Sequence, residues 1–525
     1  MEALGYAYYS PPWKTKLREA GKKISNLLTS FEDYIAPVYY LDRSYRSVQM
    51  RLYTLTKREF VLVFVAFFAA FGISVLVGIA GPSVQSMDST NATKLVGHNV
   101  NIATGPFTLR SPAYSRFNQQ LWLTALFYIQ KGKGENIEKK FILSVELQGL
   151  EEDSLVDPLN SDAFNHTRTL RCSHEICDEL IIFHLGTIEY TSYIVHITLI
   201  GLEEFHVQEI AFNWRSFNPS FTQVEIWFRF VFLVMTFIVT CMFAHSLRKF
   251  TMRDWSIEQK WMSILLPLIL LYNDPIFALT FLVDSVVPLM LDSVFQASFL
   301  CTLLLFWLCV YHGIRQSKRK WSTFYIPKII LVGLLWASAI SLACWQQYQE
   351  KHDPTYDYRV DSGNYLAMKI FFFIFGGIYL LYLLFLVIRA FTELRTLPYM
   401  NLRLRFMTIL MLFVVAISCS IVLLRFGVRV LQDNYISQLS TYYKNSSEFL
   451  TFYGLLNFYL YTMAYVYSPS ANAHKDSYFK ENPNFAMLND SEDEIIYGSD
   501  SDDNVHASLT GSHRYHDDSD DETFK

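Results

Sequence analysis

Asn273 and Asp274 are the residues of this 525-residue chain whose setting most clearly demands chemistry. They close the stretch R-D-W-S-I-E-Q-K-W-M-S-I-L-L-P-L-I-L-L-Y-N-D-P, which runs from Arg253 to Pro275 and turns from charged to apolar on the way. The pair lies about 12 residues into an apolar run that starts near residue 262, or about 18 Å at 1.5 Å per residue, close to mid-bilayer. A carboxylate at that depth costs roughly 2.5–3.5 kcal/mol on insertion scales, so neighbouring helices or a water-filled cavity must solvate it. Asn457 lies at similar depth in the last apolar run, and Pro267 and Pro275 can bend or break the helix that carries the acid. Glu225, Arg229, Lys369, Arg425 and Arg429 group by depth at the other ends of their runs. Three readings fit these residues. They are buried pairs with snorkelling cations, a polar-floored cavity open to the lumen that holds a lipid tail or a polar head group, or a proton or ion path through Asp274.

Cys172 and Cys177 form a second candidate group, in T-R-T-L-R-C-S-H-E-I-C-D. In an oxidising compartment they suit a small-loop disulfide. With His174 and Glu175 between them a metal is conceivable, but two thiols and one imidazole do not complete a tetrahedral shell. The other five cysteines fall in or beside apolar runs, where small buried residues are ordinary. There is no H-E-x-x-H, no nucleophile with a matched base and no phosphate loop. Neither an enzyme nor a cofactor is expected, and no metal or nucleic-acid partner.

The elements that position these residues are mostly membrane spans. With 52% hydrophobic and 16% aromatic residues, the chain is too apolar for an average soluble protein. The first apolar run, Phe60 to Gly81, is long enough to cross the hydrocarbon layer and follows Lys57 and Arg58, so it reads as an uncleaved anchor with a cytosolic N-terminus. Before it, residues 13–35 space Trp13, Leu17, Ala20, Ile24, Leu27, Phe31 and Ile35 by threes and fours among lysines, as in a basic amphipathic helix lying on the membrane or packed on the bundle. Seven further spans are expected near 224–245, 262–283, 294–313, 324–345, 367–390, 406–427 and 448–467. Cations crowd the loops 245–260, 315–320 and 389–405, which therefore share the cytosolic side with both termini.

Residues 82–222 leave this pattern. Runs such as Gln120–Gln130, Lys140–Leu147, Glu179–Leu185, Tyr193–Leu199 and Val207–Trp214 are separated by turn residues, which predicts an antiparallel β-sandwich. On a luminal or extracellular side, Asn91, Asn165 and Asn445 are glycosylation acceptors. The domains expected are thus a cytosolic segment 1–58, an anchor 59–81, a sandwich 82–222, a seven-helix bundle 223–468 and a tail 469–525. That tail carries 14 acids against four Lys or Arg and is too polar to fold alone. Ser491, Ser499 and Ser519 sit among acids and suit an acid-directed kinase. N-P-N-F at Asn482–Phe485 resembles a turn bound by cytosolic sorting adaptors.

Three segments, C-M-F-A-H-S-L-R-K-F, the Trp255–Pro275 run and F-Y-G-L-L-N-F-Y-L-Y-T-M-A-Y-V-Y-S-P-S, closely resemble the transmembrane protein 181 family, and the likeness runs from about Arg51 through the tail. More distantly, Tyr453, Gly454, Asn457, Tyr459, Tyr467, Pro469 and Ser470 resemble the closing helix of Wntless, the carrier of lipidated Wnt proteins. The resemblance implies an α-helical polytopic membrane protein, with a β-sandwich of the Golgi-dynamics type on a G-protein-coupled-receptor-like bundle. It also implies a receptor or trafficking carrier of the plasma membrane and secretory or Golgi-endosomal membranes, and a surface protein used by bacterial cytolethal distending toxin. The partners to expect are membrane lipid, a luminal or extracellular protein such as that toxin or a lipidated cargo, and sorting adaptors. The chain lacks D-R-Y after the third bundle helix and N-P-x-x-Y in the last, which speaks against signalling of the rhodopsin kind.

Overall fold

A computed structural model of the chain describes residues 48–95, 102–129, 137–151, 154–158, 163–172, 175–203, 207–252, 254–283, 285, 287–315, 321–357, 365–394, 398–426, 443, 445–470 and 473. The expected basic helix over 13–35, Arg429, His174, the N-P-N-F turn and the tail serines Ser491, Ser499 and Ser519 lie outside these residues. Thr56 starts the first helix, α1 (Lys57–Ile79), by accepting from the Glu59 N–H while the Glu59 carboxylate accepts from the Thr56 N–H.

Nine strands follow among the described residues: β1 (Gln85–Asn91), β2 (Phe107–Arg110), β3 (Leu121–Ile129), β4 (Ile137–Glu151), β5 (Ser154–Pro158), β6 (Phe164–Cys172), β7 (Leu180–Leu185), β8 (Ser192–Ile200) and β9 (Val207–Phe217). One antiparallel sheet has the order β1-β9-β3-β7; in the other β2 pairs β8, β8 pairs β4, and β4 pairs both β5 and β6. Alternation supplies the shared core: Leu121, Leu123, Ala125 and Phe127 from β3 face Phe141, Leu143, Val145 and Leu147 from β4, with Phe107 against Phe212 at 5.2 Å. Cys172 and Cys177 are bonded to each other at the end of β6.

A single residue joins β9 to the helix α2 (Pro219–Leu247). Asn218 caps it by accepting from the Ser220 N–H at 3.0 Å, and Pro219 opens the first turn, so the sandwich runs into the bundle through a stiff joint. Then come α3 (Ile257–Tyr272), a 3₁₀ turn Phe277–Phe281, α4 (Val287–Arg315), α5 (Ile326–His352), α6 (Tyr365–Leu394), α7 (Pro398–Phe426) and α8 (Ser446–Tyr467). The span expected over 262–283, with a bend or break at Pro267 or Pro275, continues as helix through Pro267 and is interrupted before Pro275. The α3 helix stops at Tyr272 because Asp274 takes a positive φ of 50° and Pro275 cannot extend a helix.

Seven helical segments among the described residues are long and apolar enough to cross a membrane, and the chain is a multi-pass membrane protein. The eighth expected span, α8, has 22 residues but is less apolar, because it carries polar residues that face protein, among them Tyr453, Tyr459, Tyr467 and Asn457. It packs on α1, where a Cβ at Gly78 would meet Ser447 Cα at 2.5 Å and one at Gly454 would meet Ser74 Oγ at 2.5 Å. Tyr453 stacks on Tyr272 of α3 at 5.1 Å, and Tyr467 meets Phe406 of α7 at 6.2 Å. At the end far from the sandwich, Arg51 N–H donates to Ser468 O and Ser470 N–H to Gln49 O, both at 2.9 Å. Beneath them, Arg403 of α7 clasps Glu258 of α3 with two nitrogens, Nε–Oε1 being 2.6 Å.

Candidate functional site

Glu225 and Arg229 stand one turn apart on α2, a spacing that lets their side chains meet. Arg229 Nη2 reaches Glu225 Oε1 at 3.0 Å, and its Nη1 reaches Asp292 Oδ1 of α4 at 3.4 Å and Asp274 Oδ2 at 3.6 Å. All four residues are at most 6% exposed. One guanidinium therefore faces three carboxylates in a nearly dry setting, where an uncompensated charge is costly. Phe277 and Tyr453 lie 4.1 and 5.5 Å from the guanidinium carbon and add their ring faces. Among the described residues no set of three His, Cys, Asp or Glu is arranged to hold a metal ion, and here Arg229 occupies the place a cation would take.

The sandwich reaches this centre directly. Gln119, held in a left-handed conformation (φ 53°), donates from Nε2 to Glu225 Oε2 at 2.9 Å and to Thr222 Oγ1 at 3.0 Å. Thr222 in turn donates to Phe117 O at 2.7 Å. A pocket between Gln119, Glu225, Arg229, Asp292 and Tyr443 measures about 20 Å³. That holds a water or two, and Phe217, Phe277 and Leu289 complete its lining.

Asn273 and Asn457 face each other deeper in the bundle and exchange amide hydrogen bonds of 3.0 and 3.1 Å, while Asn273 Nδ2 also donates to Thr236 Oγ1 at 2.8 Å. The break in α3 releases the Tyr272 carbonyl from its helix, and Tyr453 takes it with a hydroxyl at 2.9 Å. Broken backbone at this depth is tolerated where protein satisfies it. The amide set thus holds the break, and the break aims Asp274 at Arg229.

A second contact joins sandwich and bundle beyond α5. His166 Nε2 lies 2.6 Å from Asp353 Oδ2, Arg168 donates to Thr355 O at 2.7 Å, and the His184 N–H donates to Pro354 O at 2.7 Å. Burial pulls the Asp353 carboxyl up, but the bonds from His166 and Thr355 outweigh it and hold the group below its ordinary value. Within the sandwich, burial raises the Tyr193 hydroxyl to about 12 despite two backbone N–H donors.

Of the expected site residues, Asn273, Asp274, Asn457, Glu225 and Arg229 form one connected region. Lys369 is buried on α6, whereas the ion pairs around Arg229 come from α2, α4 and the end of α3. Arg425 belongs to α7, but its side chain lies outside the described residues. Asn165 and Asn445 are exposed and Asn91 is half-buried on β1, and the Ser83–Asn445 backbone bridge puts Asn445 at the sandwich end of the bundle. Sequence reasoning missed Asp292 and Gln119. Asp292 was assigned to a loop because its span was started at 294; Pro288, a first-turn residue, was the overlooked sign that α4 begins at Val287. Nothing in the sequence marks Gln119.

Comparison with known proteins adds the following. Residues 218–471 match the family model "Wntless-like, transmembrane domain", and residues 105–217 match "TMEM181, GOLD domain". The chain is 54% identical over 454 residues to human Transmembrane protein 181, spanning 86% of this chain and 94% of that protein. It is 23% identical over 372 residues to Protein wntless homolog B of Xenopus laevis, spanning 64% of this chain and 65% of that protein.

Proposed function

The chain belongs to the transmembrane protein 181 family, and from that membership we propose that it is a non-enzymatic membrane receptor or cargo carrier. In this reading the sandwich binds a luminal or extracellular protein, the bundle registers or holds it, and the cytosolic tail directs traffic. The observation that carries the reading is the Gln119–Glu225 hydrogen bond, because it ties the sandwich to the most highly charged point of the bundle. A ligand that shifts the sandwich would disturb that point, where small displacements change large electrostatic energies. The family resemblance makes cytolethal distending toxin and a lipidated protein two candidate ligands. Asn91, Asn165 and Asn445 would carry glycans on the ligand side, and Ser491, Ser499 and Ser519 would tune the tail by phosphorylation.

The traffic part is tested by removing residues 474–525, which spares the packed Ser470 and Ala473. Surface biotinylation in cells should then show slower internalisation and a higher surface level. Unchanged values for both would refute a sorting role.

The break at Asn273-Asp274 favours a second reading, an ion- or proton-linked transporter, since interrupted helices carry ion sites in many transporters. Recording from the purified chain in bilayers decides between the two. A current that Asp274→Asn abolishes supports transport, and a silent wild type supports the receptor.

A further inference from the structure

The sandwich turn 115–119 is fixed on every side yet points an aromatic ring outward. The Asn118 amide donates to Phe217 O at 2.9 Å, Arg116 Nη1 donates to Phe281 O at 3.3 Å, and Ser115 and Asn118 close a capping box. Thr222 holds the Phe117 carbonyl and Glu225 holds Gln119 two residues on, so the backbone that carries the ring is fixed. The Phe117 ring stacks on Phe281 at 5.6 Å and remains 42% exposed. Next to Phe281 in the chain, Leu279, Leu282 and Val283 are exposed by 42, 71 and 47%.

The depth of this patch follows from α2. Its 29 residues are about 43 Å long, whereas the hydrocarbon layer is about 30 Å, so with equal overhang about four residues project at each end. Thr222 is the fourth residue and touches Phe117. Five residues further, Trp227 is exposed on the lipid-facing side of α2. Thr222 thus sets the height of Phe117 near the rim of the hydrocarbon layer, and Phe117 stacks on Phe281 at the end of the span Ile257–Phe281, where an aromatic ring and an adjoining arginine suit the boundary between acyl chains and phosphates.

We propose that the turn 115–119 is a membrane-contact site, with Phe117 inserted into the rim of the lipid leaflet on the sandwich side and Arg116 at the height of its head groups. The lipid then adds to the protein contacts that hold the sandwich: the β9–α2 joint, the Gln119 bonds and the loop after α5. The same turn carries Gln119, so a change in the leaflet has a route of two residues to Glu225 and Arg229. This holds whether the protein is a receptor or a transporter, since it concerns only how the sandwich meets the bilayer.

The test uses the full chain in phosphatidylcholine nanodiscs, with the exposed Cys241 and Cys419 replaced by alanine. Phe117→Cys carries a nitroxide label, and Met87→Cys, on the exposed face of the sandwich, serves as a water-side reference. Collisions with oxygen, which partitions into lipid, should exceed those with a water-soluble nickel chelate severalfold at 117, and the order should reverse at 87. Nickel-dominated collisions at 117 would overturn the proposal. So would low access to both probes, which would mean a second copy or another protein surface covers the turn. If the labelled chain fails to assemble, Phe117→Trp keeps the ring. The fluorescence it adds over the parent should be quenched by chain-brominated lipid, and an unquenched signal would equally overturn the proposal.

Discussion

Two buried ionic centres lie at opposite ends of the bundle, and they are built on different arithmetic. Far from the sandwich, Glu258 and Arg403 form one carboxylate with one guanidinium, doubly bonded and buried. Beside the sandwich, Arg229 serves Glu225, Asp274 and Asp292 together, and a residue of another domain, Gln119, takes up the spare capacity of Glu225. A balanced pair is satisfied by its own partner and acts as a staple between α3 and α7. An unbalanced cluster holds more acids than its one guanidinium can pair, so it responds to whatever approaches it. The difference locates structure at one end of the bundle and responsiveness at the other.

The strongest way to break this comparison is to unpair the staple. Arg403→Met leaves Glu258 buried without a partner and should cost about 3–5 kcal/mol. Thermal unfolding of the full chain in nanodiscs should show it as a large drop in midpoint, and Glu258→Leu added to Arg403→Met should restore most of it. A drop no larger than that of an exposed ion pair, below about 1 kcal/mol, would mean the pair is not a staple. At the sandwich end the same logic runs in reverse. Arg229→Met should be as damaging as Arg403→Met, whereas Asp292→Asn removes one of three acids and should leave the midpoint nearly unchanged or raise it. If Asp292→Asn proves as costly as Arg403→Met, the cluster is balanced by something else and the contrast fails.

A smaller effect sharpens the comparison by isolating the domain contact. Gln119→Ala deletes two hydrogen bonds, one to an ionised group, and should cost roughly 1–3 kcal/mol. Its signature is local: faster hydrogen exchange at residues 115–120 and in the first turns of α2, with β3 and β4 unaffected. Unaltered exchange there would show that the Gln119 bonds do not hold the sandwich to α2.

How much of this could be read from the chain beforehand depends on the kind of signal each element leaves. The apolar helices were legible because lipid-facing surface must be apolar residue by residue, as on α1 and α6. Strands β3, β4, β7, β8 and β9 were legible from dense β-branched and aromatic runs. Strands β1 and β6, Q-S-M-D-S-T-N and F-N-H-T-R-T-L-R-C, carry mostly polar side chains, and only their pairing with β9 and β4 makes them strands. The similar depth of Asn273 and Asn457 is legible in the sequence; that their amides bond each other is not. That Asp274 turns back toward Arg229 is not legible either, because a helix period assigns no direction to a residue beyond the helix end. Gln119 was invisible for a similar reason: its role depends on a left-handed backbone turn, which its residue type does not advertise.

The weakest contact compared is the one beyond α5, and its pH dependence can be worked out. Asp353 is held below its ordinary value by His166 and Thr355, so the ionised carboxylate is what the fold prefers. A depressed carboxyl contributes stability that is present above its unfolded value, near 3.9, and is lost as pH falls through the lower folded value. The stability difference between wild type and Asp353→Asn should therefore stay constant in this carboxylate's share down to about pH 5 and close below about 4. Hydrogen exchange of residues 353–357 against pH measures it. A difference that instead vanished between pH 7 and 5 would show that this carboxylate does not set the pH dependence, and the contact beyond α5 would then join the Arg229 centre as a responsive part of the molecule rather than a second staple.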